Sequence, residues 1–342
     1  MTLEQRTRAW LDRRATGRIV VAVSGGADSS ALLVALVGGL SQRGERPAEV
    51  LCAAHFNHRL RDEPEHEHDF EHVRALAEQL GVSLLVGSAD AGEIRRSARS
   101  LGGVEAAARC RRYAFLTDAA GAVGARYVCT GHNLDDQSET ILMRLLAGVE
   151  GVLLSGMPER RRLDAGCELC RPLLGVPRSR IDAFLDANGV GRATDPSNAS
   201  TAHRRNLVRH EIIPAIETVW PAVRRDLVTL GVSMGEYHSL VKERASALGF
   251  EYGRFGARVC RRAFFGLDAD ARLEALYRVM SRLGLLDRRN RPGHAFFTPV
   301  LSSDPGGSRT LVASRKMRIT VDGPCLVIAP DIVRPPESGY LR

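Results

Sequence analysis

Lysine is nearly missing from this chain: of 48 basic residues only Lys242 and Lys316 are lysine, and the rest are arginine. With no lysine placed after a glycine loop, the Walker pattern GxxxxGK[ST] is absent, and GxGxxG is absent as well. No apolar run reaches the roughly 20 residues of a membrane span, and no charged segment followed by an apolar one opens the chain. The reading is a soluble, cytoplasmic protein with no membrane partner. The cysteines number seven, odd and scattered, which excludes a disulfide framework. Internal repeats and low-complexity segments are lacking too. What is present is enough apolar material, 44% of 342 residues, for a real core in two domains. The net charge of +8 points to a polyanion such as nucleic acid. Arginine's planar fork matches phosphate oxygens, although a GC-rich genome produces the same arginine bias.

The stretch IVVAVSGGADSSALLVAL, residues 19–36, is the most informative. An apolar, β-branched run stops at Ser24-Gly25-Gly26, and Asp28-Ser29-Ser30 open an apolar helix-like segment. A strand, a glycine turn and a helix start together make an anion site: glycines admit a close approach to backbone N–H groups, and the helix N-terminus adds about half a positive charge. A serine-rich loop carrying an aspartate suits a pyrophosphate leaving group better than a transferred γ-phosphate. The plainer reading is a tight turn without ligand, which the serines and the aspartate make the weaker one.

Through the first half, strand-like runs (50–56, 82–86, 126–130) alternate with helix-like runs (65–80 closed by Gly81, 104–119, 134–146). Such alternation predicts an α/β fold with a parallel sheet covered by helices on both faces. Ligands in such sheets sit beyond the carboxyl ends of the strands. The Ser24 loop, His55-Phe56-Asn57-His58 and Thr130-Gly131-His132 all fall at such ends. After Gly148 the pattern loosens around Arg160-Arg161-Arg162. A strand near 169–174, a helix over 178–187 and a turn at Asp195-Pro196-Ser197-Asn198 follow. Residues 204–248 read as helix broken by Pro214 and Pro221, residues 271–286 as a helix, and 309–313 and 317–329 as strands of a small terminal sheet. The division expected is a catalytic domain over 1–213, a helical linker region over 214–248, a small α+β domain over 249–330 and a frayed tail over 331–342.

Three constellations carry chemistry. In His132-Asn133-Leu134-Asp135-Asp136-Gln137-Ser138-Glu139, Asp136 and Glu139 lie three apart and Asp135 and Glu139 four apart. The apolar side is Ile141, Leu142, Leu145 and Leu146. Acids in a first helical turn ordinarily complement the dipole, worth ~0.3–1 kcal/mol each. Here they start at a strand end facing the phosphate loop, where magnesium or a cationic substrate needs them. On the helix over 104–119, Arg109 and Arg112 can face one target and neutralise a transferring phosphoryl group, while Arg111 points elsewhere. Arg205 and Arg209, one helical turn apart, join Arg160–Arg162 and the arginines of 258–262 and 288–291 as a candidate RNA backbone track. His55-x-x-His58, with His66, His68 and His72 nearby, lacks a framework of metal-site spacing, so structural zinc is rejected. Cys167-x-x-Cys170 is a lone pair that reads as an ordinary strand edge.

Taken in order, SGGADS, AHFNHRLR, EAAARCRRYAFL, GHNLDDQSETILMRLLAG, RPLLGVPRSRI, DPSN and RRNLVRHEIIP resemble the PP-loop (N-type) ATP pyrophosphatases and, within them, the lysidine synthetase family. The terminal part is similar to that family's shorter architecture. The resemblance implies a two-step ligation on the wobble cytidine of an isoleucine tRNA. ATP adenylates the C2 oxygen of the base, releasing pyrophosphate. The ε-amine of free L-lysine then displaces AMP, changing decoding from AUG to AUA. It implies Ser24, Gly25, Gly26, Ala27, Asp28 and Ser29 as the ATP loop, joined by His55, Arg109, Arg112, Gly131 and His132. It places Asp28, Asp136 and Glu139 at the lysine ammonium, Mg2+ at Asp136 and Arg112 at the phosphates; RNA at Arg205 and Arg209 rests on their spacing instead. A homodimer is left open. Arg59 stands where that family has glycine. TGHN also resembles the superfamily's tRNA thiolases, so a base thiolase, and beyond it a non-catalytic tRNA-binding protein, stay as alternatives.

Overall fold

A computed structural model describes residues 2–14, 16–60, 63–149, 151–164, 166–191, 204–286, 292–302, 304–314 and 316–331. The chain divides into two compact units, Met1–Val232 and Ser233–Arg342. The first begins with α1 (Leu3–Arg13), β1 (Arg18–Ala22), α2 (Ala27–Gln42), the short α3 (Pro47–Val50) and β2 (Leu51–Asn57). Then come α4 (Glu63–Gln79), β3 (Ser83–Ser88), α5 (Glu93–Leu101), α6 (Val104–Val123), β4 (Ala125–Cys129) and α7 (Leu134–Leu146). β5 (Arg160–Asp164), β6 (Cys167–Cys170), α8 (Arg178–Ala187), α9 (Arg204–Leu207), α10 (Ile213–Glu217) and α11 (Val223–Ser246) follow. The division of units falls at α11, within the 214–248 stretch read as a linker.

The first sheet has the order β3-β2-β1-β4-β6-β5. All its pairings are parallel except β5 with β6, which is antiparallel. Apolar side chains pack on both faces, as a parallel sheet requires. One face carries α1, α2, α4 and α8 through Trp10, Leu33, Leu36, Val73 and Ile181, with Ile19, Val21 and Tyr127 from the strands. The other carries α6 through Leu116 and Ala120 on Val20, Ala54, Val128 and Leu169. α2 is apolar nearly all round, which fits a helix buried under the sheet centre.

The helices read over 134–146 and 178–187 are observed as α7 and α8. Several readings need correction. The sheet is not purely parallel, because the arginine-rich 160–164 segment adds an antiparallel edge strand. Cys167 and Cys170 therefore lie on an internal strand between β4 and β5, not at an edge. Leu145 and Leu146 do not join the apolar side of α7; they are exposed. Pro214 does not break the helical run: α9, a π-helical turn over Val208–Ile212 and α10 follow one another without a gap, the wider turn lying just before the proline. Helices α1 and α5 went unread. The turn at 195–198 and the arginines of 288–291 lie outside the described residues.

The second unit holds β7 (Glu251–Gly253), β8 (Gly256–Cys260), α12 (Arg261–Phe265), α13 (Ala269–Arg282), α14 (His294–Leu301), β9 (Arg309–Ala313), β10 (Met317–Asp322) and β11 (Cys325–Pro330). Its antiparallel sheet has the order β7-β8-β11-β10-β9, and its core gathers Phe264, Leu276, Met280, Phe297, Ile319 and Leu326. Among the described residues no helix is long and apolar enough to cross a membrane.

Leu33 is wholly buried in α2 against the central strands. Leu33→Ala is expected to destabilise the protein by about 2–5 kcal/mol, the usual cost of a cavity at a core leucine. Urea denaturation monitored by circular dichroism checks this.

Candidate functional site

The site begins where β1 stops. Ser24 donates its backbone N–H to Ser29 Oγ (3.1 Å), and the Ser29 hydroxyl donates to the Gly26 carbonyl (2.9 Å). The Ser24 and Ser29 hydroxyls lie 3.2 Å apart. These bonds fold the loop back on the helix start, and Gly25 makes the bend with φ +92°, a conformation that side chains disfavour. Gly26 is the N-cap of α2 and brings no side-chain cap; the first helical bond is Ser30 N–H to the Gly26 carbonyl. The preceding N–H groups thus lack intrahelical partners, and the dipole adds positive potential there.

Gly131 holds this loop from the other side. A Cβ on Gly131 would lie 2.8 Å from the carbonyl carbon and oxygen of Asp28 and 2.9 Å from Ser29 N. Only glycine lets the β4–α7 loop rest backbone on backbone against the start of α2. Beyond the strand ends lies a cavity of about 540 Å³. Of the residues expected at the site, Ser24, Gly26, Asp28, Ser29, His55, Arg109, Arg112, Gly131, His132, Asp136, Arg205 and Arg209 line it. Gly25, Ala27 and Glu139 do not: Gly25 shapes the turn, Ala27 is buried, and Glu139 is wholly buried behind Asp136.

The acids form one network with arginines from distant segments. Asn133 caps α7: its side chain accepts from Asp136 N (3.0 Å), and Asp136 Oδ2 accepts from Asn133 N (3.1 Å). The same Asn133 donates through Nδ2 to Asp28 Oδ1 (2.9 Å), tying the two acids together. Arg178 donates to Asp28 Oδ2 (2.9 Å) and to Asp182. Arg205 reaches Glu139 Oε2 (2.9 Å) and Asp136 Oδ1 (3.0 Å), while Arg209 reaches Glu139 Oε1 (2.6 Å) and Asp136 Oδ1 (2.9 Å). Arg209 lies in a π-helical turn, Val208–Ile212, that follows α9. A buried carboxylate such as Glu139 needs this pairing, since an unpaired one costs several kcal/mol. Arg205 and Arg209 are thus held by carboxylates in the cavity wall and are not presented as an open track. Asp135 turns away from its neighbours: it accepts from Arg178 N (2.9 Å) and pairs with Arg224 (3.1 Å).

Burial pushes the Asp28 carboxyl up to about 6, and Asp136 adds to the rise, against the opposing pull of Arg178, Asn133 and Arg209. Burial likewise lowers His132 to about 3, with Arg171, Arg112 and Arg109 acting in the same direction and Asp136 against it. His132 is therefore a neutral imidazole at neutral pH, its Nδ1 2.8 Å from Thr130 Oγ1. On α6, Arg109 and Arg112 face the cavity while Arg111 pairs with Glu93, the division read from their spacing. Arg178, Asn133 and Asn206 went unassigned as site residues; for Asn133, the N-x-x-D cap pattern before an apolar helix was a usable signal.

The family model described as the PP-loop domain matches residues 1–216. A tRNA(Ile)-lysidine synthase of Thermus thermophilus is 34% identical over 337 residues, covering 95% of this chain and 61% of that protein. A tRNA(Ile)-lysidine synthase of Alkalilimnicola ehrlichii is 40% identical, covering 66% of this chain and 47% of that protein. This chain therefore spans about three fifths or less of the length of these relatives. Among solved structures, the U34-tRNA thiolase NcsA of Methanococcus maripaludis superposes with a TM-score of 0.53 at 16% identity, covering 68% of this chain and 78% of that one. That likeness is one of fold.

Two outcomes follow from this geometry. Gly131→Ala is expected to weaken ATP binding at least tenfold while circular dichroism stays native, because the added methyl must displace the Asp28 carbonyl; equilibrium dialysis with labelled ATP measures it. Asp28 has its carboxyl raised from an ordinary 3.8 to about 6, so the fold favours the protonated form. The stability this contributes is full below pH 3.8 and is lost as pH rises through 6. Relative to wild type, Asp28→Asn should therefore gain stability between pH 4 and pH 7 and show a flat difference above it, read from paired urea titrations.

Proposed function

Because the chain belongs to the PP-loop family, we propose that it joins free L-lysine to the wobble cytidine of an isoleucine tRNA at the expense of ATP. The observation that carries this reading is one of adjacency. Asp28 and Asp136 line the same cavity as the uncapped N-terminus of α2, so nucleotide phosphates and a cationic amine have neighbouring places. The names of the relatives support the substrate class.

In the first step, the phosphates lie against the 24–29 loop with Arg112 offsetting charge that builds as pyrophosphate leaves. The C2 oxygen of cytidine attacks the α-phosphorus; a P–O bond forms, and the bond to pyrophosphate breaks. Adenylation turns a poor oxygen leaving group into AMP. In the second step, the lysine ε-amine attacks C2, a C–N bond forms, and AMP departs with the C2 oxygen. The amine arrives as an ammonium and must lose a proton before it attacks. Asp28 is the cavity carboxylate whose affinity for a proton is raised by burial, and we assign it as the acceptor. Before that transfer Asp136, which lines the cavity, holds the ammonium, while Glu139 behind it stays paired with Arg205 and Arg209 and positions Asp136 through them.

Mg2+ fits the donor set: it favours oxygen and commonly takes one or two carboxylates with substrate phosphates. Asp136 would hold the ion, which would offset phosphate charge, leaving Asp28 free to accept the proton. The second unit is assigned to tRNA recognition through its resemblance to the terminal domain of lysidine synthetases.

Pyrophosphate release is expected to require an isoleucine tRNA with a cytidine-first anticodon, and turnover to AMP and modified tRNA to require lysine. Unchanged turnover without lysine would overturn the lysine assignment. Asp136→Asn should reduce ligation at least a hundredfold with the fold intact; near-normal activity would remove Asp136 from the chemistry.

A further inference from the structure

Beside the nucleotide cavity, four arginines gather around one phenol ring. The guanidinium carbons of Arg161, Arg109 and Arg112 lie 4.8, 5.1 and 5.6 Å from the centroid of Tyr113. Arg171 approaches the same phenol and is only 2% exposed. Cation–π contact attracts each guanidinium to the ring but neutralises none of the charge. Among the described residues none of these four arginines forms an ion pair with a carboxylate. Other partly buried arginines of the same unit, Arg14, Arg178, Arg205, Arg209 and Arg224, pair with acids, while the lone Arg144 is held by two carbonyls; among the described residues, only around Tyr113 do several unpaired guanidiniums converge.

Arg171 donates one N–H to the Pro158 carbonyl (2.6 Å), but its Nε is buried without a partner. Nε of Arg112 is buried without a partner too, and the Tyr113 hydroxyl lies within hydrogen-bonding reach of Arg112, Arg161 and Arg171, none of which it neutralises. Unpaired charge and orphaned donors under the surface are costly. Their natural complement is a multivalent oxyanion that accepts several N–H bonds at once. The placement says which one. Arg109 and Arg112 line the nucleotide cavity, whereas Arg161 and Arg171 do not. Arg161 is exposed on β5, the edge strand of the sheet, and Arg171 follows directly on β6. The guanidiniums thus run from the open sheet edge inward to His132, which feels the charge of Arg171, Arg112 and Arg109. Arg161, exposed at that edge, meets what enters from outside the cavity, and a polymer presents a phosphate there for every nucleotide.

We propose that Arg109, Arg161 and Arg171, gathered with Arg112 around Tyr113, form a second phosphate site that binds a backbone phosphate of the RNA next to the nucleotide entering the cavity. This rests on the reading of the chain as a tRNA-modifying enzyme. A phosphate there fixes the register of the strand, and with it which base faces the α-phosphorus.

The test uses Arg161→Gln, an exposed position that folding tolerates, and Arg171→Gln beside it. Fluorescence anisotropy with an isoleucine tRNA anticodon stem-loop is measured from 50 to 300 mM salt, and ATP binding is measured in parallel. Arg161→Gln is expected to weaken RNA binding about five- to tenfold and to make the log–log salt slope shallower by about 0.7–0.9, one phosphate contact. ATP affinity is expected to stay within twofold. Unchanged RNA affinity and slope would overturn the proposal. Weakened ATP or pyrophosphate binding with RNA binding intact would overturn it too, by assigning the anion to the nucleotide. A wild-type protein that binds no stem-loop would instead refute the tRNA reading itself.

Discussion

Backbone resting on backbone at Gly131 is the contact on which the rest of the site depends. It sets the β4–α7 loop within van der Waals reach of Asp28 and Ser29, and so brings the carboxylates of α7 beside the free N–H groups of α2. Nothing with a Cβ permits that approach. The serine bonds inside the 24–29 loop then hold the α2 terminus open, with Gly26 supplying no cap of its own. A helix end left without a cap is a cost to the fold, and an anion is its complement.

Charge is the second constraint. The cavity wall presents Asp28 and Asp136, with Glu139 buried behind, and each is held by arginine from a segment far along the chain. Pairing is incomplete in effect at Asp28, where burial still outweighs Arg178 and leaves the carboxyl near 6. One wall is thus rich in balanced acid–arginine pairs. The other, around Tyr113, is rich in unbalanced arginine. A phosphate suits the second, and under the proposed function the amine meets Asp28 and Asp136 of the first.

The nucleotide loop was legible because three local signals coincide: a β-branched run, two glycines and an aspartate–serine helix start. The bounds of α7 were legible because Asn133 and Asp136 form a cap that lies within the local sequence. Arg109, Arg111 and Arg112 sorted correctly because helical spacing alone decides which share a face. What failed was tertiary. Arg178 meets Asp28 across 150 residues, and Arg209 meets Glu139 across 70, so neither pairing has a local signature. The antiparallel β5 was missed because its run of arginines shows none of the apolar alternation that marks a half-buried strand. Periodicity puts Leu145 and Leu146 on the apolar side, yet α7 packs on Val208 and Ile213 through Leu142 and Met143 and leaves those two exposed.

Backbone amide hydrogen exchange at residues 25–30, with and without ATP, tests the central claim most directly. The account predicts that saturating ATP slows exchange at Ala27, Asp28 and Ser29, whose N–H groups are left free by the helix and become bonded to phosphate. Exchange at those amides that stays unchanged while ATP is demonstrably bound would contradict it.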